Sequence, residues 1–95
     1  MNPTEASPPA TRIEDTILDL VAARGSGKSI CPSEVARALK PGPQQEGWQS
    51  LMTPVRQAAV RLARAGRIDI LRKGKPVPPE EVRGVIRLRG KDDAA

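Results

Sequence analysis

Apolar side chains follow two rhythms along the chain, one helical and one extended. Ile13, Ile17, Leu20 and Val21 recur at helix-face spacing, with Leu18 beside them and Gly25 ending the pattern. Thr11-Arg-Ile-Glu14 sets a hydroxyl at an N-cap position and a carboxylate three residues on. A first helix is therefore expected over about 12–24, opened by a capping box. Ser29 and Ile30 form a short extended piece. Cys31-Pro-Ser-Glu34 then starts a second helix, because proline suits the first helical position and Glu34 favours the positive helix end. Val35, Ala36 and Leu39 give its apolar stripe, and Pro41-Gly42-Pro43 stops it by about Lys40.

The pattern resumes after a polar loop at 41–47, expected to be flexible. Trp48, Leu51 and Met52 predict an apolar turn, and Thr53-Pro54 the start of a third helix. Val55, Ala58, Ala59 and Leu62 line its inward face, with Ala63 and Ala65 small enough for close packing and Gly66 as the stop. Beyond it the period changes to two. Ile68 and Ile70 alternate as a strand, Arg72-Lys-Gly-Lys-Pro76 makes a basic turn, and Val85-Ile-Arg-Leu-Arg89 alternates again. Ile86 and Leu88 should face the core, Arg87 and Arg89 the solvent. Pro78–Gly84 between them resembles one helical turn closed by glycine. The element order is helix, short strand, helix, helix, strand, basic turn, strand. That is the order of an α+β winged helix-turn-helix, three helices with a small β-hairpin wing.

Composition narrows the function classes. The chain has 95 residues, enough for one modest core, expected over 11–90 between disordered tails at 1–10 and 91–95. It contains no histidine, tyrosine or phenylalanine and one tryptophan. The commonest general base and metal ligand is thereby missing, and base-stacking platforms are few. A single cysteine, Cys31, precludes an internal disulfide and any zinc site built on a cysteine cluster. No apolar run approaches the roughly 18 residues of a membrane span. The expectation is a cytoplasmic protein that binds a partner, with no enzymatic activity, cofactor, metal or membrane attachment.

Charge is unevenly placed. Residues 1–47 hold five basic and six acidic side chains, whereas 48–91 hold eleven basic and three acidic. The back of the chain thus carries a net +8 within an overall +5. Such asymmetry is expected where one face meets a polyanion. Arginine outnumbers lysine eleven to five, and its planar fork matches phosphate and guanine edges. On the third helix, Arg56, Gln57, Val60, Arg61 and Arg64 share the side opposite the apolar stripe. Arginine forks onto guanine O6/N7 or phosphate, and glutamine pairs with adenine N6/N7. A solvated amphipathic helix would show the same spacing.

Other local patterns point to structure rather than chemistry. Gly25-Ser-Gly-Lys-Ser29 resembles the end of a phosphate-binding P-loop. The motif needs a glycine at the position of Ala22 and a preceding strand, and here a helix precedes. The segment is therefore expected to be an inter-element loop. Asp15 and Asp19 lie one turn apart and suit a solvated acidic face, since no further ligands converge on them. Cys31, at or beside an N-cap, is expected to be structural, with redox activity as the alternative. Trp48 is expected to anchor a core or hinge, with base stacking as the alternative.

The strings Glu34-Val-Ala-Arg-Ala-Leu39, Pro54-Val-Arg56, Arg61-Leu-Ala-Arg-Ala-Gly-Arg-Ile68, Arg72-Lys-Gly-Lys75 and Arg83-Gly-Val-Ile-Arg-Leu-Arg89 resemble a family of short bacterial proteins. That family carries only a domain-of-unknown-function label and a winged-helix fold, and the resemblance covers roughly 12–89. The stretch Leu62–Ile68 is similar to the end of the recognition helix and first wing strand of bacterial winged-helix transcription regulators. The resemblance implies a winged helix and leaves function to the residues. The long, proline-containing wing and the loop before Trp48 depart from the usual pattern.

The leading expectation is a duplex-DNA binder and small transcription regulator. Arg56, Gln57, Arg61 and Arg64 would enter the major groove, while Arg72, Lys73 and Lys75 of the wing would grip phosphates or the minor groove beside it. The alternative is a protein-interaction module on the same scaffold, favoured if Trp48, Leu51 and Met52 form an exposed apolar patch. Duplex RNA is a further candidate partner.

Overall fold

The computed structural model describes residues 9–25, 27–40 and 47–91, and its first helix, α1, spans Ala10–Arg24. The tails expected at 1–10 and 91–95 lie outside the described residues, apart from Pro9, Ala10 and Lys91. The loop expected at 41–47 also does, apart from Gly47. α1 begins before the expected cap. Pro9 is the N-cap, its carbonyl accepts from Ile13 N–H at 3.1 Å, and Thr11 already lies within the helix. The capping box at Thr11 is therefore absent. Pro9 presets a φ of −56° and Ala10 is the best helix former, so the first turn closes one step earlier.

A two-residue strand, β1 (Ser29–Ile30), leads into α2 (Pro32–Leu39). Cys31 is the N-cap of α2, as expected, and Glu34 Oε2 accepts from its backbone N–H at 3.0 Å. Beyond the gap, Trp48–Leu51 forms a 3₁₀ turn that runs straight into α3 (Met52–Arg64). Thr53 consequently sits inside the first turn rather than capping it. Pro54 is tolerated there because those N–H groups have no helical acceptor.

Leu62 O accepts from Arg67 N–H at 2.8 Å and Ala63 O from Gly66 N–H at 3.0 Å, the paired bonds of a Schellman ending. Gly66 takes φ +77°, and a Cβ there would meet nothing within 4 Å. Gly66→Ala is therefore expected to cost about 1 kcal/mol through backbone strain alone, read as a lower urea midpoint with unchanged slope.

The remaining strands are β2 (Ile68–Arg72), β3 (Lys75–Val77) and β4 (Arg87–Gly90). All pairings are antiparallel, in the order β1-β4-β2-β3. Three helices and a small four-stranded sheet give an α+β fold whose layout is consistent with a winged helix. β3 was not expected from the sequence. It pairs Val77 with Ile70, Pro76 with Leu71 and Lys75 with Arg72, so the turn shrinks to Lys73-Gly74. β4 starts at Arg87, later than the expected Val85, which stands 86% exposed. The helical turn expected over 78–84 is a 3₁₀ turn at Pro79–Glu81 only.

The predicted stripes meet in one core. Ile13, Ile17 and Val21 of α1 pack with Val35, Ala36 and Leu39 of α2 and with Val55, Ala58, Ala59 and Leu62 of α3. The sheet adds Ile30, Ile68, Ile70 and Leu88, and Ile86 joins them from just before β4. Trp48 and Met52 are half-buried against this core and Leu51 is buried, so the three do not form an exposed apolar patch. The Arg37 guanidinium carbon lies 4.5 Å from the Trp48 ring centroid, which places Trp48 as an anchor between α2 and the 3₁₀ turn.

Candidate nucleic-acid interface

The tip of the β2–β3 hairpin concentrates charge at an exposed turn. Lys73 and Gly74 both have positive φ, 54° and 82°, the signature of a two-residue type I′ turn that matches strand twist. Lys73 is the one non-glycine residue with positive φ among the described residues. Asparagine or glycine would hold this conformation at lower cost. A lysine there exchanges backbone comfort for a cation at the outermost point of the hairpin. Arg72 and Lys75 flank it as the closing pair, and all three side chains are exposed. Among the described residues no hydrogen bond or ion pair engages any of them.

The outer face of α3 is less uniform than its sequence implies. Gln57 and Arg64 are exposed and unpaired among the described residues. Arg61 Nε instead meets Glu14 Oε2 of α1 at 2.6 Å, an exposed pair that ties α3 to α1. Arg56 is half-buried, and its Nη2 donates to the Gly84 carbonyl at 3.0 Å. The five positions do share one side of the helix. At its margins, however, the two arginines are already occupied.

For Arg56 the cause is the return of the chain from β3 to β4. Pro79 and Val82 from this segment join Thr53, Arg56, Gln57 and Val60 around an open groove of about 260 Å³. The return segment therefore lies along the exposed side of α3 instead of projecting away as a loose wing. It brings exposed Glu80 and Glu81 as well as exposed, unpaired Arg83. Sequence reasoning missed Arg83, Gly84 and Glu14 as neighbours of the α3 face. The +8 back half included Arg83, but nothing local showed that its loop folds onto α3.

Two acidic groups elsewhere hold the frame. Glu34 accepts from Cys31 N–H at 3.0 Å and from Arg24 Nη2 at 2.5 Å. The backbone hydrogen bond chiefly, then the Arg24 charge, hold its pKa below the ordinary value against partial desolvation. For Asp69, partial burial pushes the pKa up, but hydrogen bonds from Arg89 and Lys91 outweigh it and leave the carboxyl below its usual range. Both folded pKa values are depressed. The stability they contribute is complete above the unfolded carboxylate range near about 4 and is lost as pH falls through the folded values. With no histidine to titrate, Tm is expected to stay level from about pH 8 to pH 5 and then to fall. Circular-dichroism melts of the wild type and of Glu34→Gln plus Asp69→Asn check this, the variant losing less on acidification.

A family model described as a protein of unknown function, DUF3253, matches residues 10–91. The chain belongs to the DUF3253 family. No curated protein matches the sequence. The DUF3253 match runs from the first residue of α1 to the residue after β4, so α3, the hairpin and the return segment all lie within it. Cys31 of this DUF3253 chain is half-buried and accepts from Ser33 Oγ at 3.0 Å. The Gly25–Ser29 segment links α1 to β1, and its Ser26 lies outside the described residues. No helix among the described residues is long and apolar enough to cross a membrane.

Proposed function

We propose that the chain is a nucleic-acid-binding domain that engages duplex DNA through the β2–β3 hairpin and the exposed face of α3. The corresponding role is that of a small transcription regulator. The observation that carries the reading is the hairpin tip, where Arg72, Lys73 and Lys75 stand exposed and unpaired with Lys73 in a left-handed turn position. Phosphate is the complementary partner for three unneutralised cations on one rigid projection. Gln57 and Arg64 supply side chains able to meet base edges, and Arg61 joins them once exchanged from Glu14, while Arg56 stays on the Gly84 carbonyl. Exchange of an exposed ion pair costs little, because water already screens it.

Fluorescence anisotropy with a mixed-sequence duplex tests the proposal. Neutralising about five phosphates gives a log–log salt slope of roughly −4 to −5. Absence of binding at about 50 mM salt defeats it.

A second reading draws on a different observation. The groove beside α3 has Val60 and Val82 among its lining residues, and Glu80 and Glu81 are exposed nearby. That mixture suits a protein partner better than phosphate. Co-purification of a stable partner together with indifference to duplex DNA would favour it.

A further inference from the structure

We infer that Arg83 and Val85 form an additional duplex contact at the edge of α3, resting on the duplex reading above. The two lie on a loop fastened at both ends. Val82 packs against the core and lines the groove beside α3, and Ile86 is 2% exposed. Between them, the Gly84 carbonyl is held by Arg56 of α3. Arg83 is thus one residue from two separate attachments to α3, and its own side chain is exposed and unpaired among the described residues.

Val85 gives the loop its second marker. It is the one exposed large apolar side chain among the described residues, and folding gains nothing from it there. An exposed apolar residue beside an unpaired guanidinium matches a nucleic-acid surface, where sugars and base edges offer apolar contact and phosphates or minor-groove acceptors take the charge. The fixed backbone lowers the ordering cost of such a contact. Glu80 and Glu81 precede the tip and repel phosphate, which confines the contact to the Arg83–Val85 side of the loop.

Arg83→Ala and Val85→Ser test this against Arg12→Ala, which removes an equal charge from α1. All three positions are exposed and carry no side-chain bond among the described residues. Arg83→Ala is expected to weaken duplex binding by about five- to tenfold and to reduce the salt slope by about one. Val85→Ser should weaken binding about threefold with the slope unchanged, and Arg12→Ala should leave affinity within about twofold of wild type. An equal loss on A-tract and G·C-rich flanks assigns Arg83 to phosphate; a larger loss on the A-tract assigns it to the minor groove. If Arg83→Ala matches Arg12→Ala while wild type binds, the loop contact is overturned and the duplex reading stands. If wild type binds no duplex, both fall.

Discussion

Leu88→Ala is expected to destabilise the chain by about 3–4 kcal/mol, a large share of the roughly 5–15 kcal/mol available to a small domain. Leu88 is fully buried on β4, the strand that joins the two sides of the sheet. It stands opposite Ile30 of β1 and Ile70 of β2, so the cavity opens where the two pairings meet. Helices stacked over that point cannot settle into the gap without moving the sheet. The expected fall in Tm is about 15–20 °C. Val85→Ala, three positions earlier and fully displayed to solvent, should stay within about 0.5 kcal/mol of wild type. Equal effects at the two positions would contradict the placement of β4. Thermal melts of both variants decide the matter.

The second large effect concerns binding. Arg72→Gln, Lys73→Asn and Lys75→Gln together remove three charges while keeping the shape of the hairpin. The triple variant should lose about a hundredfold or more in duplex affinity, and its salt slope should shallow by about 2.7. Its Tm should hold or rise, because asparagine accepts the left-handed position more readily than lysine. This opposition of the two readouts separates a contact surface from a structural element. Unchanged affinity together with an unchanged slope would remove the hairpin from the interface.

The core and the order of elements were legible because they rest on period. Val55, Ala58, Ala59 and Leu62 could share only one face of a helix, and that face is buried. Ile86 and Leu88 likewise pointed inward as alternation requires. Helix starts were less legible. Thr11 had the chemistry of a cap, but the earlier Pro9-Ala10 start used those N–H groups first. β3 was hidden for a different reason. Lys75-Pro76-Val77 has one apolar residue and a proline, and its strand character comes from pairing with β2.

The candidate interface was half legible for the same reason. Side-chain chemistry and helical phase grouped Arg56, Gln57, Arg61 and Arg64, and the described structure keeps them on one side of α3. Their partners come from residues distant along the chain, Glu14 and Gly84. A helical pattern holds no record of which distant carboxylate or carbonyl arrives beside it. The hairpin cations needed no such information, since a two-residue turn exposes whatever it carries.

Pro76 lies opposite Leu71, one step from the closing Arg72–Lys75 pair of a two-residue hairpin. Alternation of the ladder turns that step's backbone groups away from β2, so the amide hydrogen that proline lacks would have pointed outward from the sheet. β3 is one of the two edge strands, and its outer rim therefore offers no donor at the midpoint. Copies crowded onto neighbouring stretches of a polyanion would bring such rims together at high local concentration. A continuous rim would invite them to zip into a shared sheet and trap the hairpins in a fibre-like stack. If the chain binds duplex DNA as proposed, the missing hydrogen would keep the hairpins of crowded copies separate, so dense loading would remain reversible.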